Sequence, residues 1–252
     1  MKTVIIIPAR LQSSRFPCKP LARATGKTLV QHVYETARES KLADGVFVAS
    51  GDLDIVREVD AFGGRSIFIA GEHPSGTSRV AAAAKYLSRV GTLRGRLLSP
   101  ESVVVNLQVD EPLVPVEHID TLIRRLWGHK AGQPGIATLA ATHGPDGWER
   151  DPNTVGVAIG SSGLASHFTR KPYPFALPHL GIYAYRKSAL EEIAALKPSE
   201  SSIVESLEQL TWLENKIPVA VYTVPEFPLS INTKQDYAKF VEISGVGQAQ
   251  PC

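Results

Sequence analysis

The sequence is short of cysteine, of long apolar runs and of net charge, and each shortage closes off a class of protein. Two cysteines in 252 residues, Cys18 and Cys252, stand near opposite ends and give no disulfide framework, so a reducing cytosol is the simpler expectation. The opening apolar run, Val4 to Ile7, stops at Pro8 and Arg10. A signal peptide needs a longer apolar core and a membrane span one longer still, so a cytoplasmic protein without a membrane partner is expected. Lysine and arginine number 27 against 25 aspartate and glutamate, a formal net charge of +2, which gives no basis for a nucleic-acid partner. Any argument about anionic ligands must rest on local clusters of basic residues.

What is present is an alternation of strands and helices. With 43% hydrophobic and 21% charged residues, a chain of 252 suits a single globular domain, here spanning residues 1–252. The continuous β-branched run Val4 to Ile7 reads as a strand buried on both faces of a parallel sheet. Leu29, Val33 and Ala37 recur at helical spacing within residues 28–40, and residues 45–50 read as a second strand. Ile55, Val56 and Val59 mark a helix that Gly63 and Gly64 can end. A strand over 66–70 and an alanine-rich helix over 77–87 follow, then the best strand of the chain at 103–107 and a helix over 116–127. This order predicts an α/β, Rossmann-like, mostly parallel doubly wound sheet. After Gly132 the rhythm loosens: strands at 135–141, 154–160 and 179–186 have no long helix between them, which suggests a small antiparallel insertion, or an extension of the sheet, over about 135–186. Helices at 188–196 and 202–214, a strand at 219–224 and a last helix at 233–243 restore the pattern.

In an open parallel sheet, ligands bind beyond the carboxyl ends of the strands. The first strand is followed there by Pro8, Ala9, Arg10, Leu11, Gln12, Ser13, Ser14, Arg15, Phe16, Pro17, Cys18, Lys19 and Pro20. Cations and hydroxyls on one loop suit a triphosphate, although a solvated basic loop would read the same way. The loop holds neither a P-loop nor a dinucleotide fingerprint. The best strand is followed by Gln108, Val109, Asp110, Glu111 and Pro112, where carboxylates could ligate Mg²⁺ or Asp110 could cap the next helix.

Together these segments resemble the cytidylyltransferases that activate acidic sugars, the CMP-sugar-acid synthetase family of nucleotidyltransferases, whose sheet is of the nucleotide-diphospho-sugar transferase type. The opening loop matches Pro-Ala-Arg, Ser-x-Arg and Pro-x-Lys-Pro. Ser75 to Arg79 resembles a Ser-Gly-Thr-Glu-Arg turn, and Gln108 to Pro112 resembles Gln-Gly-Asp-Glu-Pro. Asp151-Pro152-Asn153, Phe168-Thr169-Arg170, the segment from His179 to Arg186, and Leu207-Glu208-Gln209-Leu210 follow in the same order.

The resemblance implies transfer of CMP from CTP to the anomeric hydroxyl of 3-deoxy-manno-octulosonate or a close relative, with release of pyrophosphate and with Mg²⁺ as cofactor. It implies that Ala9, Arg10, Ser14, Arg15 and Lys19 hold the triphosphate, that Ser75 and Gly76 offer hydroxyl and N–H groups, and that Arg79 and Gln108 help read the base. Arg10, Lys19 and Asp110 would be catalytic, and Asp110 and Asn232 would take the metal. His179, Tyr183, Glu208 and Gln209 would line the sugar site. A homodimer formed through the inserted region is also implied, and bacterial surface polysaccharide is the expected destination of the sugar.

The sequence departs from the family pattern at several points. Asn232 stands where a second metal-binding aspartate is usual, and Asp236 lies one helical turn on. Val109 replaces a glycine, Gly156 a lysine and Thr211 an arginine, and the segment from Arg170 to His179 is short. Most of these changes fall on the metal or sugar half. They leave open a nucleotidyltransferase for a different acidic acceptor or base, such as an amino-substituted octulosonate, or a catalytically impaired nucleotide-binding homologue.

Overall fold

The computed structural model describes residues 2–13, 15–91 and 97–245. Ser14 and Cys252 lie outside the described residues. The alternation becomes a sheet of nine strands: β1 (Thr3–Pro8), β2 (Gly45–Ser50), β3 (Ser66–Phe68), β4 (Val103–Asn106), β5 (Ile136–His143), β6 (Gly156–Ile159), β7 (Ala165–Thr169), β8 (Leu177–Arg186) and β9 (Val219–Glu226). The helices are α1 (Leu29–Glu39), α2 (Leu53–Ala61), α3 (Gly76–Val90), α4 (Val116–Gly128), α5 (Lys187–Ala194), α6 (Glu200–Glu205), α7 (Glu208–Glu214) and α8 (Lys234–Ile243).

The strand order is β3-β2-β1-β4-β8-β5-β9. The pairs β1·β2, β1·β4, β2·β3 and β5·β9 are parallel, and β8 runs antiparallel to both β4 and β5. Alternate residues of β1 feed opposite faces. Val4 and Ile6 join α3, α5 and α7 in one core, while Ile5 and Ile7 join α1, α2 and α4 in the other. All four are fully buried, which is why the run is continuously apolar.

The antiparallel pairing expected around 135–186 is present, but it is integrated into the main sheet. β5 and β8 are central strands, and only β6 and β7 form an offshoot through β8. β7 was not anticipated, because Ser166 and His167 interrupt its apolar pattern. The single helix expected over 202–214 is two, α6 and α7, since Ser206 takes a left-handed backbone (φ 52°) between them. A third, small core of Phe16, Leu29, Ile231 and Phe240 joins the loop after β1 to α8.

Candidate active site

The parallel strands β1, β2 and β4 all end on one edge of the sheet, and a cleft of about 1150 Å³ opens there. Arg10, Arg15, Ser75, Gln108, Asp110, His179, Tyr183, Glu208, Gln209 and Asn232 line it. Residues separated by more than 200 positions in sequence therefore share one cavity. Ala9, Lys19, Gly76 and Arg79 are not among the lining side chains; Ala9, Lys19 and Arg79 are buried in its wall.

At the cationic end, the Ser75 hydroxyl accepts from the Ser78 N–H at 3.1 Å, and the Ser78 hydroxyl meets the Ser75 N–H at 3.3 Å. This capping box leaves the other first-turn N–H groups of α3 for an anion. Gly76 allows a close approach. A Cβ there would stand 3.1 Å from Gln108 Nε2 and 3.4 Å from Pro8 Cγ, so α3 and the loop after β4 meet backbone to side chain. Gln108 is oriented in turn by Asn106, whose Oδ1 accepts from Gln108 Nε2 at 2.9 Å. Burial lowers the pKa of Arg79, which the Asp52 charge raises and Arg10 lowers.

Asp110 is the junction of the site. Lys19 Nζ donates to Asp110 Oδ2 and to the Ile231 carbonyl, both at 2.9 Å, and the Ile231 N–H donates to the Asp110 carbonyl at 2.8 Å. One ammonium thus joins the loop after β1, the loop after β4 and the segment after β9. Asp110 is not the cap of α4, which begins after Pro115. The neighbouring Glu111 carboxyl is pushed up to about 8, by burial first and then by the Asp110 charge.

The oxygen donors near Asp110 suit a hard cation that takes its other ligands from phosphate and water. The Asp110 carboxylate is 27% exposed, and the Asn232 side chain lines the same cleft. Asp236 Oδ2 is occupied, accepting the N–H groups of Asn232 (3.1 Å) and Thr233 (2.8 Å) and the Thr233 hydroxyl (2.9 Å) as the third-residue partner of the Thr233 cap of α8. Among the described residues no three His, Cys, Asp or Glu form a metal cage.

The opposite end is largely buried and aromatic. Between Thr138 and Leu139 the β5·β8 register jumps from Tyr183 to Leu180, so Gly181 and Ile182 bulge. The Thr138 hydroxyl donates to the Ile182 carbonyl at 2.8 Å and, having one hydrogen, must accept from His179 Nε2 at 2.8 Å. Burial pushes His179 down to about 3, and the ring is neutral. Tyr183 stacks on Tyr185 (5.8 Å, 11°), and Trp212 meets both edge-on. Gln209 Nε2 donates to the Tyr183 hydroxyl, while Gln209 Oε1 is buried without a protein partner and offers an acceptor to a ligand hydroxyl. Glu208 accepts from the Thr77 hydroxyl and thereby ties α7 to the start of α3; burial raises its pKa.

Sequence alone assigns no role to Asn153, Asp151, Arg170 or Thr138. Arg15 donates to Asn153, and Arg170 donates to the carbonyls of Pro152 (3.0 Å) and Asn153 (3.3 Å), so two guanidiniums flank one turn at the cleft. Asp151 holds that turn through the Asn153 N–H at 3.0 Å and the Thr154 hydroxyl at 2.7 Å. The motifs containing Asp151 and Arg170 were visible, but Thr138 carried no signal.

The departures from the family pattern have local explanations. Val109 turns into the core, 8% exposed, rather than into the cleft. A Cβ on Gly156 would lie 3.3 Å from Ala176 and 3.4 Å from the Trp148 ring, so tryptophan fills the space of a longer side chain. The Thr211 hydroxyl accepts from the Ser199 N–H at 3.0 Å, which braces α6 against α7.

A doubly wound sheet with a cationic loop and a helix N-terminus facing a carboxylate at its carboxyl edge is the architecture of an α/β nucleotidyltransferase. A family profile described as cytidylyltransferase matches residues 4–219, and the chain belongs to that family. It is 39% identical to the 3-deoxy-manno-octulosonate cytidylyltransferase of Thermodesulfovibrio yellowstonii, covering 94% of this chain and 95% of that one. It is 37% identical to the protein of the same name from Polynucleobacter necessarius, covering 92% of each. The solved structure of CMP:2-keto-3-deoxy-manno-octonic acid synthetase complexed with CTP superposes with a TM-score of 0.84 at 31% identity, over 97% of this chain and 99% of that chain.

Proposed function

We propose that the chain transfers CMP from CTP to the anomeric hydroxyl of 3-deoxy-manno-octulosonate. The observation that carries this reading is the single cleft in which a cationic loop and a neutral hydroxyl-binding pocket meet at Asp110. The sugar hydroxyl oxygen attacks the α-phosphorus, pyrophosphate departs, and the hydroxyl proton passes to solvent. Arg10, Arg15 and the α3 N-terminus hold the triphosphate and offset the charge that grows on the leaving group. Lys19 fixes the Asp110 carboxylate by its hydrogen bond and supplies a nearby positive charge. Gln209, Tyr183 and His179 orient the sugar hydroxyls, and the aromatic stack behind them excludes water.

Mg²⁺ would be held by Asp110 and Asn232, where it supplies the charge that draws the α-phosphate and the sugar acid together. Activity in the cytoplasm, toward lipopolysaccharide, is part of the same reading. So is a homodimer formed through the face around β7. There Phe175 is 97% exposed, and Ile203 and Val204 of α6 are exposed as well, whereas Leu139, Phe168 and Tyr183 are core residues. Sedimentation at micromolar concentration tests the dimer; a monomer unaffected by Phe175→Ser removes that part.

The decisive experiment measures pyrophosphate release with Mg²⁺ and 3-deoxy-manno-octulosonate, comparing CTP with UTP, GTP and ATP. CTP-selective release that needs the sugar acid is expected. Release with CTP only when another sugar acid is supplied would reassign the acceptor, and no release with any acid would leave a nucleotide-binding homologue.

A further inference from the structure

Asp52 occupies the N-cap position of α2, where an aspartate ordinarily accepts from the helix's own N–H groups. Its carboxylate makes no such bond. Asp52 Oδ2 instead accepts the Leu11 N–H at 2.9 Å, across 41 residues of sequence. The Asp52 backbone is itself pinned, because its N–H donates to the Ser50 hydroxyl at 3.0 Å.

Leu11 is the closing point of the cationic loop. Its carbonyl accepts the Cys18 N–H at 3.0 Å, so residues 11–18 form a ring closed at Leu11, with Arg10 just outside, Arg15 within and Lys19 at the exit. Whatever holds Leu11 therefore anchors the loop that carries Arg10 and Arg15 and leads to Lys19, whose own ammonium is tied to Asp110 and Ile231.

The same turn also meets Arg79. A Cβ on Gly51 would stand 3.6 Å from an Arg79 guanidinium nitrogen and 3.0 Å from the Ile69 carbonyl, so Arg79 lies against the backbone just before Asp52. The Asp52 charge favours the buried Arg79 guanidinium, which Arg10 opposes.

We infer that Asp52 is a positioning residue for the nucleotide half: it anchors the closed loop at Leu11 and steadies Arg79 beside Arg10. This inference rests on the reading of that half as a CTP site. Asp52 touches no substrate in this account and acts through Leu11 and Arg79.

The test separates the hydrogen-bond acceptor from the charge. Removing a negative charge beside a triphosphate would by itself tighten anion binding. Positioning predicts the opposite sign. Asp52→Ala should raise the CTP Kd in calorimetry, and the CTP KM in turnover, about tenfold, the weight of one charge-assisted hydrogen bond. The KM for the sugar acid should stay unchanged. Asp52→Asn keeps an acceptor for the Leu11 N–H but loses the charge that favours Arg79, and should recover most of the CTP affinity lost in Asp52→Ala. Asp52→Ser, too short to reach Leu11 but still a polar N-cap, should behave like Asp52→Ala and serves if the alanine variant does not fold.

Unchanged or tighter CTP binding in Asp52→Ala or Asp52→Ser overturns the inference, as does an asparagine variant as weak as alanine. A wild-type chain that binds CTP without turning it over would defeat the functional reading alone, since the calorimetric comparison still decides the role of Asp52.

Discussion

The two ends of the cleft are built by different means. The nucleotide end consists of loops and helix starts beyond β1, β2 and β4, with cations held by hydrogen bonds between neighbouring loops. The acceptor end is a wall of buried rings on β8 and α7, with His179 neutral. On the proposed reading, charge at the first end depends on loop anchoring, and selectivity at the second depends on where a few hydroxyl and amide groups sit in a packed surface. Substitutions should therefore fail differently at the two ends.

The largest difference is expected for Lys19→Ala. It removes the ammonium that joins Asp110 to Ile231, and kcat should fall by about 10²–10³-fold, the weight of one preorganised electrostatic donor. Pyrophosphate-release kinetics check this, and a loss below tenfold would make Lys19 a structural tie only. The mirror experiment at the acceptor end is His179→Gln. Burial holds the folded-state pKa of His179 near 3, below its usual 6.5, so its contribution to stability is present above pH 6.5 and is lost as pH falls toward 3. Urea unfolding should show the wild-type chain weakening on acidification with up to about 1.4 kcal/mol per pH unit from this group. The glutamine variant should have a shallower slope, and identical slopes would mean that His179 does not carry the acid sensitivity.

Much of the nucleotide end was legible because its determinants are local. The loop from Pro8 to Pro20, the turn at Ser75 and the segment from Gln108 to Pro112 each keep their donors within a few residues, at strand ends that the apolar pattern already located. The acceptor end was named through resemblance, and its workings were hidden for physical reasons. Thr138 matters only because a bulge in β8 brings both the Ile182 carbonyl and His179 within reach of its hydroxyl. Asp52 draws no attention in the sequence, because its bond to Leu11 depends on the parallel packing of β1 against β2. The split between α6 and α7 rests on one left-handed residue, Ser206, whose type does not announce it.

Two smaller effects sharpen the contrast. Asn232→Asp adds a carboxylate in the cleft that contains Asp110 and should lower the Mg²⁺ concentration for half-maximal rate several-fold, with little change in the KM for the sugar acid. A lower kcat at saturating Mg²⁺ would instead show that the neutral amide is an adapted ligand. Gly156→Lys should be the mildest. The Trp148 ring already fills that space, so the KM for an acidic acceptor should hardly move until Trp148→Ala is added.

The small core of Phe16, Leu29, Ile231 and Phe240 bears on synthesis as well as on shape. A ribosome makes the phosphate loop first and Ile231 some 212 residues after Lys19. At about 5–20 residues per second, the loop waits on the order of ten seconds or more for the carbonyl that Lys19 must reach and the rings that Phe16 must meet. During that interval the nascent chain has the Asp52 and Asp110 anchors of the loop but lacks the Ile231 carbonyl and the Phe240 ring. A product truncated before Ile231 would carry the cationic loop without its last two ties.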